Sequence, residues 1–105
     1  MVNVYGDNGK VIARVKANNN LDWWDGSNWT CGSTCRHKGL TRLADGRYVL
    51  IHTTQWQGEH DYAEIISEKR ALQEILKANA VELLEEPKFA ELKKLWEESK
   101  IKEME

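Results

Sequence analysis

Up to Ile66 the apolar residues of this chain come in short runs with a period near two; after Ser67 they recur every three or four residues. The first pattern belongs to half-buried strands and the second to helices with one apolar stripe. Val2–Tyr5 and residues 11–17 are β-prone runs on either side of Gly6-Asp7-Asn8-Gly9-Lys10, and Asn8-Gly9 is a favoured pair for a type I′ hairpin turn. In the second run Val11, Ala13, Val15 and Ala17 alternate with Ile12, Arg14 and Lys16, which predicts one face toward a core and one toward water. A second hairpin is predicted over residues 40–58. Runs at 40–43 and 47–55 flank Ala44-Asp45-Gly46, where Gly46 accepts the positive φ of a tight turn. Tyr62–Ile66 offers one more strand.

Ser67 begins the helical portion. Its hydroxyl can accept an orphan backbone N–H, Glu68 suits the positive end of the helix dipole, and Ala71, Leu72, Ile75 and Leu76 follow at helical spacing to a stop at Asn79. Val81, Leu83 and Leu84 suit a short helical turn. Pro87 suits the first position of a further helix, whose apolar stripe is Phe89, Leu92, Leu95 and Trp96.

Residues 21–39 resist this reading. Gly26, Gly32 and Gly39 lie among Asn, Asp, Ser and Thr, a loop composition, yet the stretch exceeds the about 12–15 residues beyond which a structureless loop is uncommon. Two short strands around Trp23-Trp24 and Asn28-Trp29-Thr30, joined by a turn at Gly26-Ser27, would account for part of it. Strands first and helices after give a single α+β domain over 1–105, with a sheet portion at 1–66 and a helical portion at 67–103. The expected sheet is mostly antiparallel, built from hairpins and covered on one face by two or three C-terminal helices.

Composition narrows the function classes. The 105 residues are 41% hydrophobic and 30% charged, a globular balance. No run reaches the about eighteen apolar residues of a membrane span, and the N-terminal stretch has neither the basic start nor the apolar centre of a signal peptide, so a cytoplasmic protein with no membrane partner is expected. The net charge of −2 divides unevenly: residues 1–60 hold seven Lys/Arg against five acids, and the remainder eight against twelve. That mildly basic sheet portion falls short of the clustered charge of a nucleic-acid footprint.

Cys31, Cys35 and His37, with His52 or His60, offer thiolate and imidazole ligands for zinc, although the spacing follows no standard ligand string. The same residues allow a loop disulfide or a Cys–His nucleophile. No redox Cys-x-x-Cys pair, nucleophile elbow, phosphate-binding glycine loop or His-Glu-x-x-His string is present, and no cofactor is expected beyond that zinc alternative. Asp22, Asp25, Glu59 and Asp61 read as turn formers rather than as an acid and base pair. His52 shares a strand face with Tyr48 and Leu50 and reads as structural.

Five Trp in so short a chain call for an explanation. Trp24, Trp56 and Trp96 are expected to fill the core, and of the neighbours Trp23 and Trp24 one must face outward from a strand. The binding candidates are Trp23, Trp29, Arg36, Lys38, Arg47 and Trp56, an aromatic and basic surface of the sheet and the Trp-rich loop. A protein partner or self-association is the expected use, nucleic acid the alternative, and a zinc-binding or Cys/His enzyme the third.

The segments Gly46-Arg47-Tyr48-Val49-Leu50-Ile51-His52, Gln55-Trp56-Gln57-Gly58 and Ala63-Glu64-Ile65-Ile66-Ser67, followed by the helix with Ala71 and Leu76, resemble small uncharacterised proteins encoded on plasmids, phages and other mobile elements. The likeness spans residues 40–79. It implies a small accessory binding protein rather than an enzyme, and brings no catalytic residues with it.

Overall fold

A computed structural model describes the backbone of residues 1–24, 26–32 and 35–104, with side chains as far as Ser99. The order is β1 (Val2–Tyr5), β2 (Val11–Val15), β3 (Trp23–Trp24), β4 (Trp29–Thr30), β5 (Arg36–Arg42), β6 (Tyr48–Thr54), β7 (Tyr62–Ile66), α1 (Glu68–Lys77), two 3-10 turns (Val81–Glu85 and Pro87–Phe89) and α2 (Ala90–Met104). Five strands form one sheet in the order β2-β1-β7-β6-β5, and β3 with β4 forms a separate two-stranded sheet. All pairings in the large sheet are antiparallel except β1 with β7, which run parallel. The fold is the α+β arrangement expected, a mostly antiparallel sheet with C-terminal helices.

Both predicted hairpins form, with one shared turn design. Gly6 N–H bonds the Lys10 carbonyl and Gly9 N–H the Gly6 carbonyl; Leu43 N–H bonds Arg47 and Gly46 N–H bonds Leu43 in the same pattern. Gly9 (φ 77°) and Gly46 (φ 98°) hold the left-handed position, while Asn8 keeps a negative φ. The first turn is therefore a three-residue loop closed by a left-handed glycine, not the type I′ turn that Asn8-Gly9 predicts. Strand β2 ends at Val15 rather than Ala17, and its alternation breaks at Ile12. Val4 pairs with Ala13 but Tyr5 with Val11, so Ile12 is an extra residue that turns Val11 away from the core.

The core lies on two sides of the sheet. Leu40, Tyr48, Leu50 and Ile66 meet Ala71, Leu72 and Ile75 of α1, Leu84 of the first 3-10 turn, and Phe89 and Leu92, with Leu21 among them. Val2, Val4, Val15, Val49, Ile51 and Ala63 form a second cluster on the other face, which no helix residue joins among the described residues. The helices are delimited as their ends predict. Ser67 Oγ accepts from Arg70 N–H at 3.1 Å. At the other end Asn79 takes φ 54°, Asn79 N–H bonds Leu76 and Ala80 N–H bonds Ile75, a Schellman closure with Ala80 and Ile75 both buried.

Strand β5 begins at Arg36, four residues ahead of the run at 40–43 that the sequence marks, so part of the expected loop is strand. Gly39 is the reason the sequence conceals it. The connection from β2 crosses β5 so closely that a Cβ on Gly39 would lie 2.7 Å from the carbonyl carbon of Asn18, with two Asn18 oxygens nearer still. From there the chain runs along the outer edge of β5. The Asn20 carboxamide accepts from Leu40 N–H (2.8 Å) and donates to the Leu40 carbonyl (3.0 Å), Leu21 N–H donates to Lys38, and Asp22 Oδ1 accepts from Lys38 N–H (3.0 Å). The Asn20 and Asp22 side chains and the Leu21 backbone N–H thus replace a neighbouring strand and close that edge. No helix among the described residues is long and apolar enough to cross a membrane.

Candidate functional site

The site grows out of the small sheet. Trp24 pairs with Trp29 and Trp23 with Thr30, so the two pairs face opposite ways. Thr30 is buried, and Trp23 is half-buried with its ring packed on the main core and over Gly32. On the outer face Trp24 is 55% exposed and Trp29 58%, their ring centroids 5.9 Å apart and their planes tilted by 58°. Beside them a groove of about 430 Å³ is lined by Asp22, the three tryptophans and, across from them, Lys77, Ala78, Asn79, Ala80 and Glu82 at the end of α1. The left-handed turn at Asn79 therefore shapes one wall.

Two expectations about tryptophan are corrected. Trp24, 55% exposed, is not core, because its face of the two-stranded sheet has no layer over it among the described residues. Trp56, 51% exposed, is not core either, because it lies in the turn after β6, where its N–H bonds Thr54 Oγ1. Trp96 is partly buried against the core.

Asp22 holds the small sheet to the large one. Its side chain is 1% exposed; Oδ1 accepts from Lys38 N–H and Oδ2 meets His37 Nδ1. A buried carboxylate needs such partners. His37 is thereby engaged with Asp22, and among the described residues no three His, Cys, Asp or Glu side chains stand close enough to hold a metal ion. The zinc set of Cys31, Cys35 and His37 is not assembled. Both thiols are free, Cys35 with φ 65°, its carbonyl accepting from Gln55 N–H.

The basic candidates are all present, and each has an intramolecular carboxylate. Arg36 meets Glu59 at 2.8 Å, Lys38 meets Glu74 at 3.5 Å, and Arg47 meets Asp45 at 2.7 Å; Arg42 likewise meets Glu91 at 3.0 Å. The hydrogen bond from Arg36, with a second from Thr54, holds the Glu59 carboxyl below its usual range, and the bonds from Arg47 do the same for Asp45. Their placement also divides them. Arg36 and Lys38 lie at the open end of the β5–β6 hairpin, toward Trp56 and the small sheet, whereas Arg47 lies at its closed end. A second cleft, about 310 Å³, opens at that open end between Cys31, Arg36, Lys38, His52, Glu59 and Tyr62. There His52 bonds Glu64 at 2.9 Å and stacks on Tyr62 at 4.5 Å, the structural role its position on β6 predicts.

No family model, curated protein or solved structure matches the chain. Geometry alone defines the site.

Trp24, Asp22 and the α1 end are what sequence reasoning missed. A signal for Trp24 was available. A turn centred on Gly26-Ser27 already sets Trp24 opposite Trp29 and Trp23 opposite Thr30, and with polar Thr30 beside the core-facing ring the two remaining tryptophans share the other face. The pairing of Asp22 with His37 has no sequence signal, because it depends on the close crossing at Gly39.

Proposed function

We propose that this chain is a non-enzymatic, cytoplasmic accessory protein that binds another protein through the Trp24–Trp29 pair and the groove between it and the end of α1. The observation that carries this reading is the exposure of both rings side by side on one face. Large, stiff aromatic side chains bring contact area at low entropic cost and dominate protein interfaces, whereas a surface pair with no partner exposes costly apolar area to water. Neutralisation of Arg36, Lys38, Arg42 and Arg47 within the fold favours a protein over a phosphate backbone. The free thiols suit a reducing compartment, and the resemblance of residues 40–79 to small uncharacterised proteins of mobile elements implies a small accessory binding protein.

The test is selection of peptides from a random display library on the wild-type chain, followed by affinity measurement on the Trp24→Ser/Trp29→Ser double variant with its fold checked by circular dichroism. Loss of two hot-spot rings is expected to weaken the best peptide by about 30-fold or more. Equal affinity for the folded double variant, or no peptide enriched above background, overturns the reading.

A further inference from the structure

The two edges of the large sheet are treated differently. On β5 the outward backbone groups of Lys38 and Leu40 are all bonded by Asn20, Leu21 and Asp22. On β2, the last strand at the other side, the outer backbone edge makes no hydrogen bond among the described residues. The cations differ in the same way. Arg36, Lys38, Arg42 and Arg47 each hold a carboxylate, but Lys10, Arg14 and Lys16, exposed along β2 and at its ends, make no ion pair among the described residues. Val11 and Ile12, 48% and 41% exposed, form an apolar shoulder where the bulge turns them outward, and leave residues 13–15 as a regular edge.

We propose that β2 is a second binding site, distinct from the tryptophan surface, which takes an extended acidic segment of a partner protein as an added strand. Main-chain hydrogen bonds to an open edge give affinity without sequence demands, and side chains on alternate residues, about 7 Å apart along a strand, give the choice of partner. Arg14 is exposed on the strand and Lys16 follows two residues on, just past its end, so a segment with carboxylates at alternate positions matches them. A second copy of this chain matches poorly: antiparallel pairing of residues 13–15 with themselves is centred on Arg14 and sets Arg14 opposite Arg14, and like charges directly opposite are destabilising.

The probe is an acetylated ten-residue peptide that alternates Glu with Val or Thr, measured by titration at low and physiological salt, with a version N-methylated at every residue, and so blocked on both edges, as control. Binding is expected to slow amide exchange within residues 13–15 and to fall about tenfold or more in Arg14→Glu/Lys16→Glu. It is expected to vanish for the N-methylated peptide and to persist in the Trp24→Ser/Trp29→Ser variant, which separates this site from the tryptophan surface. The proposal is overturned if the N-methylated peptide binds equally well, if the charge-reversed protein keeps its affinity, if no binding occurs at low salt, or if β2 instead pairs with a second copy or prefers DNA or RNA to the peptide.

Discussion

Replacing Gly39 by alanine tests whether the crossing over β5 is what seats the small sheet. The added Cβ would sit 2.7 Å from the Asn18 carbonyl carbon, a contact that backbone cannot absorb without moving. Gly39 does not have a positive φ, so alanine itself is compatible with its conformation and should gain about 0.4–1 kcal/mol by restricting the unfolded chain. Against that stand about 1–3 kcal/mol of overpacking and the weakening of the bonds from Asn20, Leu21 and Asp22 to Lys38 and Leu40, each worth about 1 kcal/mol. The net expectation is a loss of about 2–3 kcal/mol. Urea unfolding followed by fluorescence and circular dichroism measures it, and a loss of that size lowers the Tm by about 10–20 °C in a domain of this length. Gly9→Ala is the control: it has no atom within 4 Å of its Cβ and should lose only the about 1–2 kcal/mol of a left-handed backbone. If Gly39→Ala stays within about 0.5 kcal/mol of the wild type, the crossing is not tight and this account of the β5 edge fails.

Three further outcomes follow from the same geometry. The Tyr48 hydroxyl is buried without a hydrogen-bond partner among the described residues and burial raises its phenol pKa, so Tyr48→Phe should leave stability unchanged or raise it by about 1 kcal/mol; a loss above that, read from the urea midpoint, would reveal a hidden partner. At the left-handed Asn79, Asn79→Val should cost about 1–2 kcal/mol while Asn79→Gly holds or slightly raises stability, and equal thermal midpoints for the two would refute the Schellman closure as the cause. Asp45 and Glu59 titrate below the usual carboxylate range in the folded chain. Their contribution is therefore complete above that range and fades as pH falls through the lowered values, and Asp45→Asn with Glu59→Gln should flatten this acid limb of an unfolding series.

The parts of the fold written in local chemistry were legible in the sequence. Both glycine turns, the Ser67 cap, the Asn79 stop and the strand at 62–66 depend on residues within a few positions of one another, and each lies where the pattern puts it. The parallel contact of β1 with β7 and the pairing of Asp22 with His37 depend on distant segments meeting, which no local period encodes. The basic surface shows the same limit. Arg36, Lys38 and Arg47 are where the strands place them, but Arg36 and Lys38 find their carboxylates, Glu59 and Glu74, only once the chain has folded. Trp24 is a different case, since its exposure follows from the register of a turn that the sequence already indicates.

The most direct test of the central claim is a nitrogen-edited NMR titration of the wild-type chain with its best selected peptide, following the five indole N–H signals assigned by single Trp substitutions. The signals of Trp24 and Trp29 are expected to shift and saturate together while that of Trp96, packed against the core, stays in place. Saturating shifts confined to Trp56 or to other parts of the molecule, with Trp24 and Trp29 unmoved, would contradict it.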